Sequence, residues 1–318
     1  MPADTPSASP RGGQAPAADA SLRVLLSAGF ADYGLIDSGN GRKLERFGRF
    51  LIDRPEPQAM WQPTLAAGVW LRADAQFKAS AEGGDGSGRW RTGKPLPQSW
   101  PLMVEQISMQ CRLTNFRHLG VFPEQLPHWQ WMLARLKQVR GQPPRVLNLF
   151  AYTGAATLLA AAAGAEVTHL DASRTAVTWA KQNQAASNLS EAPIRWIIED
   201  ARKFVAREAR RGKTYHVILV DPPKFGRGPA GEVWEVFEHL APLLRSCALL
   251  LARESAAVVL TTYAIRASAL ATGVLLRESL GEREGTLEMG ELAVIEEAGR
   301  RALSTSLFAR WASHDGQR

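Results

Sequence analysis

The sequence "RVLNLFAYTGAATLLAAAAGAEVTHLD", residues 145–171, contains the pattern from which the fold can be inferred. An apolar run is followed by a turn with one glycine, an alanine-rich segment that stops at Gly164, and a second apolar run that ends at Asp171. Short apolar runs separated by a helical segment are typical of a strand–helix–strand unit with parallel strands. The stretch therefore predicts two neighbouring strands of a parallel sheet.

The same alternation continues towards the carboxyl terminus. Further strands are predicted at 194–200, 215–221 and 256–263. Helices are predicted at 128–139, 173–188, 201–212 and 232–252, and a terminal hairpin at 291–311 around Gly299, Arg300 and Arg301. Strands that are apolar along their whole length indicate a sheet covered on both faces. We therefore predict an α/β fold with a doubly wound, seven-stranded sheet that ends in an antiparallel hairpin.

The first part of the chain has a different residue composition and pattern. Residues 1–20 are mostly Pro, Ala, Ser and Gly, which predicts a disordered tail. Residues 21–112 contain short alternating runs broken by turn residues, which predicts a small β-rich domain. Basic residues of one hairpin lie near tryptophans in this range: Arg42, Lys43, Arg46 and Arg49, with Trp61, Trp70, Trp90 and Trp100. Such a set could face RNA, or the tryptophans could fill the domain core.

The charge balance permits a nucleic-acid partner. The net charge is +7, and 30 of the 38 basic residues are arginine, whose guanidinium group suits phosphate. A genome-wide preference for arginine would give the same composition. The charge alone therefore does not choose between these explanations.

The composition indicates no membrane segment and no metal. The two cysteines form no CxxC pair, and none of the six histidines has a metal-ligand spacing. No charge-free apolar run reaches the length of a membrane-spanning helix, and no secretory signal is recognisable. We expect a cytoplasmic protein, and the sequence leaves its oligomeric state open.

The turn after the first strand is a candidate ligand site. In an open α/β sheet, ligands bind beyond the carboxyl ends of the strands. Here that turn contains Asn148, Phe150, Tyr152, Thr153 and Gly154. The glycine would let the backbone approach a ligand closely, and the next helix offers free N–H groups. The turn is not GxGxxG, which disfavours a dinucleotide and hence a dehydrogenase.

An aspartate ends each of the next three strands: Asp171, Asp200 and Asp221. Asp171 lies 17 residues after Gly154, where a carboxylate can accept both hydroxyls of a ribose. Asp200, or the N–H of Ala201, could meet an adenine, although Asp200 could equally be only a helix cap. Three acids in equivalent positions indicate a ligand site more specifically than any one of them does.

Three stretches carry a family resemblance: "VLNLFAYTGAATLLAAAAGAEVTHLDAS", "IIEDARKF" and "VILVDPPKFGRG". They resemble the Rossmann-like class I S-adenosylmethionine-dependent methyltransferases of the bacterial large-subunit ribosomal RNA type, which include cytosine carbon-5 enzymes. The resemblance covers about residues 113–310 and implies a methyltransferase domain at 113–318 with S-adenosylmethionine as cofactor.

The resemblance also implies roles for individual residues. Asn148 to Gly154 would hold the methionine part of the cofactor, Asp171 the ribose, Asp200 and Ala201 the adenine, and Asp221 would stand beside the methyl donor. Ser173 belongs to the same site or caps the helix that follows it. "NFRHLGVFPEQ", residues 115–125, is similar to the segment that runs under the cofactor, which makes Phe122 and Gln125 cofactor contacts.

The sequence departs from the family at the catalytic thiol. Carbon-5 methylation of cytosine needs a thiolate that adds to the ring, and the family carries it in a Ser-Cys-Ser run after strand five. Here Thr261, Thr262 and Tyr263 occupy that place. Cys111 and Cys247 are interpreted as packing residues. We therefore expect the methyl acceptor to be a nitrogen or an oxygen with its own lone pair.

The motif Asp221, Pro222, Pro223, Lys224, Phe225 supplies the predicted catalytic residues. Prolines leave the loop carbonyls without local N–H partners, so a carbonyl and the Asp221 carboxylate could face an amino group. Phe225 could stack on a base, while Lys224 or Arg227 could meet a phosphate. Tyr263 and Arg266 follow strand five, where a substrate would lie, although Arg266 could instead cap the next helix. His118 could be an acid or base, or a structural residue.

These observations favour a methyltransferase that acts on RNA, with ribosomal RNA as the preferred substrate. A methyltransferase for a protein or a small molecule is an alternative within the same class. A protein that binds the cofactor but has lost turnover together with its cysteine is a third possibility.

Overall fold

The structure is a computed structural model that describes residues 21–80, 87–263 and 265–314. The predicted tail at 1–20 lies outside the described residues. No helix in the described part of the chain is long and apolar enough to cross a membrane.

The amino-terminal part is mostly β-structure. Its elements are β1 (Arg23–Ser27), β2 (Tyr33–Gly39), β3 (Arg42–Phe47), β4 (Phe50–Pro55), α1 (Ala67–Trp70), β5 (Ala75–Ala79), β6 (Gly88–Thr92), β7 (Trp100–Val104) and β8 (Ile107–Cys111). Strands β2 to β6 form a five-stranded sheet in chain order, and β7 and β8 form a separate hairpin.

Helices and strands alternate in the rest of the chain, after a short 3₁₀ helix at Pro123–Gln125. The helices are α2 (Leu126–Leu136), α3 (Ala155–Ala162), α4 (Arg174–Ala186), α5 (Ala201–Arg210), α6 (Val236–Leu249) and α7 (Ala269–Leu280). The strands are β9 (Arg145–Leu149), β10 (Glu166–Asp171), β11 (Ile194–Ile198), β12 (Val217–Val220), β13 (Phe225–Arg227), β14 (Val233–Glu235), β15 (Ala257–Thr262), β16 (Gly285–Ile295) and β17 (Ala302–Ser313).

The large sheet has the strand order β1-β16-β17-β15-β12-β9-β10-β11. The five predicted strands β9, β10, β11, β12 and β15 are parallel, and β17 runs antiparallel to β15 and β16. This confirms the doubly wound α/β fold with a terminal hairpin.

An eighth strand, β1, extends the predicted seven. It pairs in parallel with β16, and Ser27 Oγ donates a hydrogen bond to the Pro123 carbonyl at 3.3 Å. We expected this segment to belong to the small β-rich domain. The pairing joins residues more than 260 positions apart, so no local pattern could predict it. The proposed domain boundary at residue 112 stays a prediction.

Two predicted elements differ from the structure. The helix expected at 232–252 begins only at Val236, because β14 pairs with β13 in a short antiparallel hairpin. Residues 69–79, "VWLRADAQFKA", are one of the short runs from which strands of the β-rich domain are predicted, but they contain the end of α1, and their strand begins at Ala75. A turn at residues 71–72 separates α1 from its strand, whereas β14 runs directly into α6.

Alternate residues of the parallel strands pack into two cores, one on each face of the sheet. Val146, Val217 and Val259 belong to the core that contains residues of α2 and α3. Leu147, Ile218 and Val258 belong to the core with α5, α6 and α7. Both faces of the sheet are therefore covered, and the carboxyl ends of its strands remain available for a ligand site.

The tryptophans of the small sheet serve packing. Trp100 is 4% exposed, and the indole N–H groups of the three half-buried tryptophans, Trp61, Trp70 and Trp90, donate to Ser38, Asp37 and Phe116 respectively. The basic residues of β3 are paired with acids: Arg42 with Asp53, Lys43 with Glu56 and Arg46 with Glu297. These contacts favour the packing interpretation over an RNA-facing hairpin.

Candidate active site

A cavity of about 430 Å³ lies at the carboxyl ends of β9, β10, β11, β12 and β15. Its volume is within the range of about 300–1,000 Å³ that is typical of small-molecule pockets. Sixteen of the predicted site residues line it: Phe122, Gln125, Asn148, Phe150, Tyr152, Thr153, Gly154, Asp171, Ser173, Asp200, Ala201, Asp221, Pro222, Pro223, Arg227 and Tyr263. The structure thus gathers segments that are far apart in the sequence.

Three predicted residues do not line the cavity. Phe225 lies on β13 with 58% of its surface exposed, and the Lys224 ammonium lies 5.1 Å from the centre of its ring. Arg266 is exposed and does not cap α7, because Ser268 Oγ accepts the N–H of Ala271 at 3.2 Å. Their predicted contacts with a substrate stay predictions and would have to be made outside the cavity.

The turn after β9 has an unusual backbone. Phe150 and Tyr152 have φ angles of 55° and 49°, and Gly154 has a φ of 87°. A Cβ on Gly154 would lie 3.2 Å from Ala180 Cβ and 3.4 Å from His169 Cε1. We expected this glycine to let the backbone approach a ligand, and that role stays a prediction. The structure shows that it allows the left-handed backbone and the close packing of α3 against α4.

Asp171 fixes this turn from β10. Its carboxylate accepts the backbone N–H of Tyr152 and that of Ser173, both at 2.8 Å. Burial raises the pKa of Asp171, and the two N–H groups oppose that rise because they stabilise the ionised form. Ser173 Oγ accepts the N–H of Ala176 at 3.2 Å, which confirms its role as a helix cap. The assignment of Asp171 to a ribose stays a prediction.

Asp200 caps α5. The carboxylate is 4% exposed and accepts the N–H groups of Arg202 and Lys203 at 3.0 and 3.1 Å. The capping alternative is therefore observed. Because the helix already uses the carboxylate, the N–H of Ala201 is the better candidate for an adenine contact.

Asn148 is held by a buried hydrogen-bond chain. Its Nδ2 donates to Thr157 Oγ1 at 3.0 Å, and this hydroxyl lies 2.9 Å from His169 Nδ1. Burial lowers the pKa of His169 to about 3, so the ring is neutral. The chain fixes the amide of Asn148 at the bottom of the cavity.

Asp221 is the most perturbed acid of the cavity. Burial, and next the charge of Glu124, raise its pKa from an ordinary 3.8 to about 7, and a hydrogen bond from Gln125 opposes the rise. Gln125 Nε2 donates to Asp221 Oδ2 at 3.1 Å, while Thr261 Oγ1 donates to Gln125 Oε1 at 3.4 Å. Asp221 is therefore oriented and changes its protonation near neutral pH.

The sequence interpretation missed two residues at this end of the cavity. Glu124 is 8% exposed, and burial raises its pKa as well. Trp234 Nε1 donates to the Pro223 carbonyl at 2.7 Å and its ring packs 4.8 Å from that of Phe150. The expectation that the loop carbonyls are free is thus wrong for Pro223. Glu124 lies beside Gln125 in the predicted cofactor segment, which was an available signal.

Tyr263 connects the cavity to the small β-sheet. Its hydroxyl accepts a hydrogen bond from Arg117, whose guanidinium also donates to the Pro55 carbonyl at 3.1 Å. His118 packs 4.9 Å from the Phe122 ring, and burial together with Arg54 and Arg117 lowers its pKa well below the usual value. His118 is therefore neutral at physiological pH, which disfavours it as a general acid.

Neither cysteine lines the cavity. Cys111 lies in β8 and Cys247 in α6, and both are buried. Burial raises the pKa of the Cys247 thiol to about 12, and that of Cys111 rises as well. Both are packing residues, as predicted, and the cavity contains no thiolate from this chain.

Relatives of known name match part of the chain. Residues 130–262 match the family "Conserved hypothetical protein 95". The protein named ribosomal RNA large subunit methyltransferase K/L from Shewanella frigidimarina is 38% identical over 42% of this chain and 18% of its own length. The protein of the same name from Magnetococcus marinus is 35% identical over 39% of this chain and 16% of the relative's length. The chain therefore spans less than a fifth of these curated relatives.

Solved structures match almost the whole chain. The SAM-dependent methyltransferase from Agrobacterium tumefaciens is 50% identical, with a TM-score of 0.87 over 91% of this chain and 93% of that one. A methyltransferase structure from Streptococcus mutans, with a TM-score of 0.66 at 16% identity over 88% of this chain and 75% of that one, shares the fold. The high identity over nearly complete chains, together with the fold and the cavity, shows that this chain belongs to the class I S-adenosylmethionine-dependent methyltransferases.

Proposed function

We propose that the protein transfers a methyl group from S-adenosylmethionine to a nitrogen of an RNA base, with large-subunit ribosomal RNA as the favoured substrate. The observation that carries this proposal is Asp221. It is a half-buried carboxylate with a pKa of about 7, held by Gln125 in a cavity without a thiol.

The residues of the cavity fit the cofactor. Asp171 would hold the ribose, the first turn of α5 at Ala201 the adenine, and the turn from Asn148 to Gly154 the methionine part. The Ser306 hydroxyl lies in the wall of the cavity, is more than nine-tenths buried and has no hydrogen-bond partner among the described residues, so it offers a further polar contact. When bound, S-adenosylmethionine supplies an electrophilic methyl group on a sulfonium sulfur, which a nitrogen lone pair can take by direct displacement.

Asp221 accounts for the proton balance. An amino group that attacks through its lone pair becomes positively charged and must lose a proton. The ionised carboxylate of Asp221 can accept an N–H from such a group and then take that proton. Gln125 keeps the carboxylate in place, and Pro222 and Pro223 restrict the backbone of the loop. A nitrogen acceptor therefore needs no thiolate.

The charge of the protein and the names of its relatives support RNA as the substrate. The net charge is +7, and the matched curated relatives are named for ribosomal RNA. Arg227 at the cavity and the exposed Lys224 would meet phosphates. Because Phe225 lies outside the cavity, it would stack on a nucleotide next to the methylated one. The small β-rich domain would present the substrate, and the expected cytoplasmic location belongs to the same proposal.

Transfer of tritium from labelled S-adenosylmethionine tests this function. We expect incorporation into large-subunit ribosomal RNA from cells that lack the protein, and much less into RNA from cells that contain it. Asp221→Asn is the matched inactive control. If no RNA fraction is labelled, the proposal is wrong, and labelling of protein or small molecules would point to the other acceptors.

A further inference from the structure

The outer face of the β5–β6 ribbon carries three basic residues. In the antiparallel register, Lys78 is directly opposite Arg89, and Arg91 is opposite Gln76. Residues paired in this way point to the same side of the sheet. All three basic side chains are exposed. The residues between them, Phe77 and Trp90, point to the other side and pack with their ring centres 5.0 Å apart.

No acid in the described part of the chain neutralises these charges. Within residues 21–80, 87–263 and 265–314, no carboxylate lies within 4.0 Å of the charged group of Lys78, Arg89 or Arg91. The acid on the neighbouring strand, Asp53, is occupied by Arg42 at 2.6 Å and Gln76 at 2.7 Å. The ribbon thus differs from β3, whose basic residues are paired.

This arrangement is unfavourable for the isolated sheet. Like charges directly opposite each other on antiparallel strands repel, so the pair of Lys78 and Arg89 lowers stability. Arg91 adds a third charge two residues along the same strand, about 7 Å away. A surface that keeps such repulsion is suited to a polyanion, because bound phosphates would remove it.

The ribbon is attached to residues 115–116, shortly before the chain reaches the cavity at His118. Gly88 N–H donates to the Asn115 carbonyl at 2.9 Å, and Trp90 Nε1 donates to the Phe116 carbonyl at 3.2 Å. The next residue, Arg117, holds the hydroxyl of Tyr263 in the cavity. These bonds fix the ribbon to the segment that leads into the site, while its basic face points away from Trp90 and the Phe116 carbonyl.

We propose that Lys78, Arg89 and Arg91 form a phosphate-binding surface that holds the RNA backbone while the acceptor base enters the cavity. This inference rests on the proposed RNA methyltransferase function. It moves the RNA contact of the small sheet from β3, where the charges are paired, to the outer face of β5 and β6.

The test compares two variants that lose the same charge. One is the triple variant Lys78→Gln, Arg89→Gln, Arg91→Gln. The matched control is Lys213→Gln, Arg245→Gln, Arg253→Gln, which removes three exposed basic residues elsewhere. Binding to large-subunit ribosomal RNA is measured over a series of salt concentrations, with the KM for RNA and the affinity for S-adenosylmethionine.

We expect the KM for RNA of the ribbon variant to be at least about tenfold higher than that of the wild type. The slope of log affinity against log salt should become shallower by about 2, because each lost phosphate contact removes about 0.7 from it. Its affinity for S-adenosylmethionine and its melting temperature should not fall. A charge-preserving variant, Lys78→Arg with Arg89→Lys and Arg91→Lys, should keep the KM of the wild type.

Failures of the two proposals are distinguishable. If the wild type labels no RNA, the proposed function is wrong and this inference is wrong with it. If the wild type labels RNA but the ribbon variant matches the control in KM and salt slope, only the ribbon inference is wrong, and the charges merely protect an edge strand. Loss of RNA binding in the charge-preserving variant would also contradict it.

Discussion

Replacement of Asp221 by asparagine should remove a pH-dependent loss of stability. The pKa of Asp221 is raised from 3.8 to about 7, so the folded protein disfavours the ionised carboxylate. The free-energy cost of ionising Asp221 in the folded protein is absent below the pKa of the unfolded state. It grows as the pH rises and is complete above about pH 7. At about 1.4 kcal/mol for each pH unit, the ionised carboxylate destabilises the fold by about 4 kcal/mol.

The asparagine of this variant would have no charge to bury, and its side-chain oxygen could still accept the hydrogen bond from Gln125. The free energy of unfolding of the variant, minus that of the wild type, should therefore increase by about 4 kcal/mol from about pH 4 to pH 8. Urea unfolding of both proteins at several pH values measures this difference. Parallel stability curves would refute the reasoning, because they would show that Asp221 titrates normally.

The same variant should lose activity while it gains stability. Without a proton acceptor, kcat should fall by a factor of about 10²–10⁴, and the affinity for S-adenosylmethionine should change little. In the wild type, kcat should rise with pH and level off above about pH 7, since the ionised carboxylate is the active form. Asp200→Asn is a suitable control because asparagine is an equally good helix cap, so its stability should stay near that of the wild type.

Three further predictions follow from the cavity. Asp171→Ala should abolish binding of S-adenosylmethionine and release the N–H of Tyr152; normal affinity in calorimetry would show that the ribose is bound elsewhere. Gly154→Ala should lower the free energy of unfolding by about 1–3 kcal/mol because its φ is 87°; an unchanged urea midpoint would contradict this. The double variant Cys111→Ala, Cys247→Ala should be less stable but keep methyl transfer per folded molecule, whereas complete inactivity of folded protein would indicate a thiol mechanism.

Local patterns in the sequence were sufficient for the parallel part of the fold. Apolar runs such as 145–149 and 217–220 have the length of buried strands, and Ser173 and Asp200 stand where helix caps are needed. These signals depend on neighbours within a few residues. The strand ends, and with them the three aspartates, could therefore be placed before the structure was known.

Contacts between distant segments could not be predicted in this way. The pairing of β1 with β16 and the start of α6 depend on partners elsewhere. The same is true of the hydrogen bond that Trp234 donates to the Pro223 carbonyl, an oxygen that the sequence analysis expected to have no partner. The lack of an acid beside the basic residues of β5 and β6 within the described residues is equally invisible in a sequence, because each of them looks like those of β3 that are paired.

Local periodicity and motifs thus established the class of the sheet, the family resemblance and which acids end its strands. The roles of those acids, in contrast, depend on how the chain folds. Folding made Asp200 a helix cap, bonded Asp171 to a turn, and placed the half-buried Asp221 close to the charge of Glu124. The physical reason is that a carboxylate's pKa and its partners depend on burial and on charges brought close by folding.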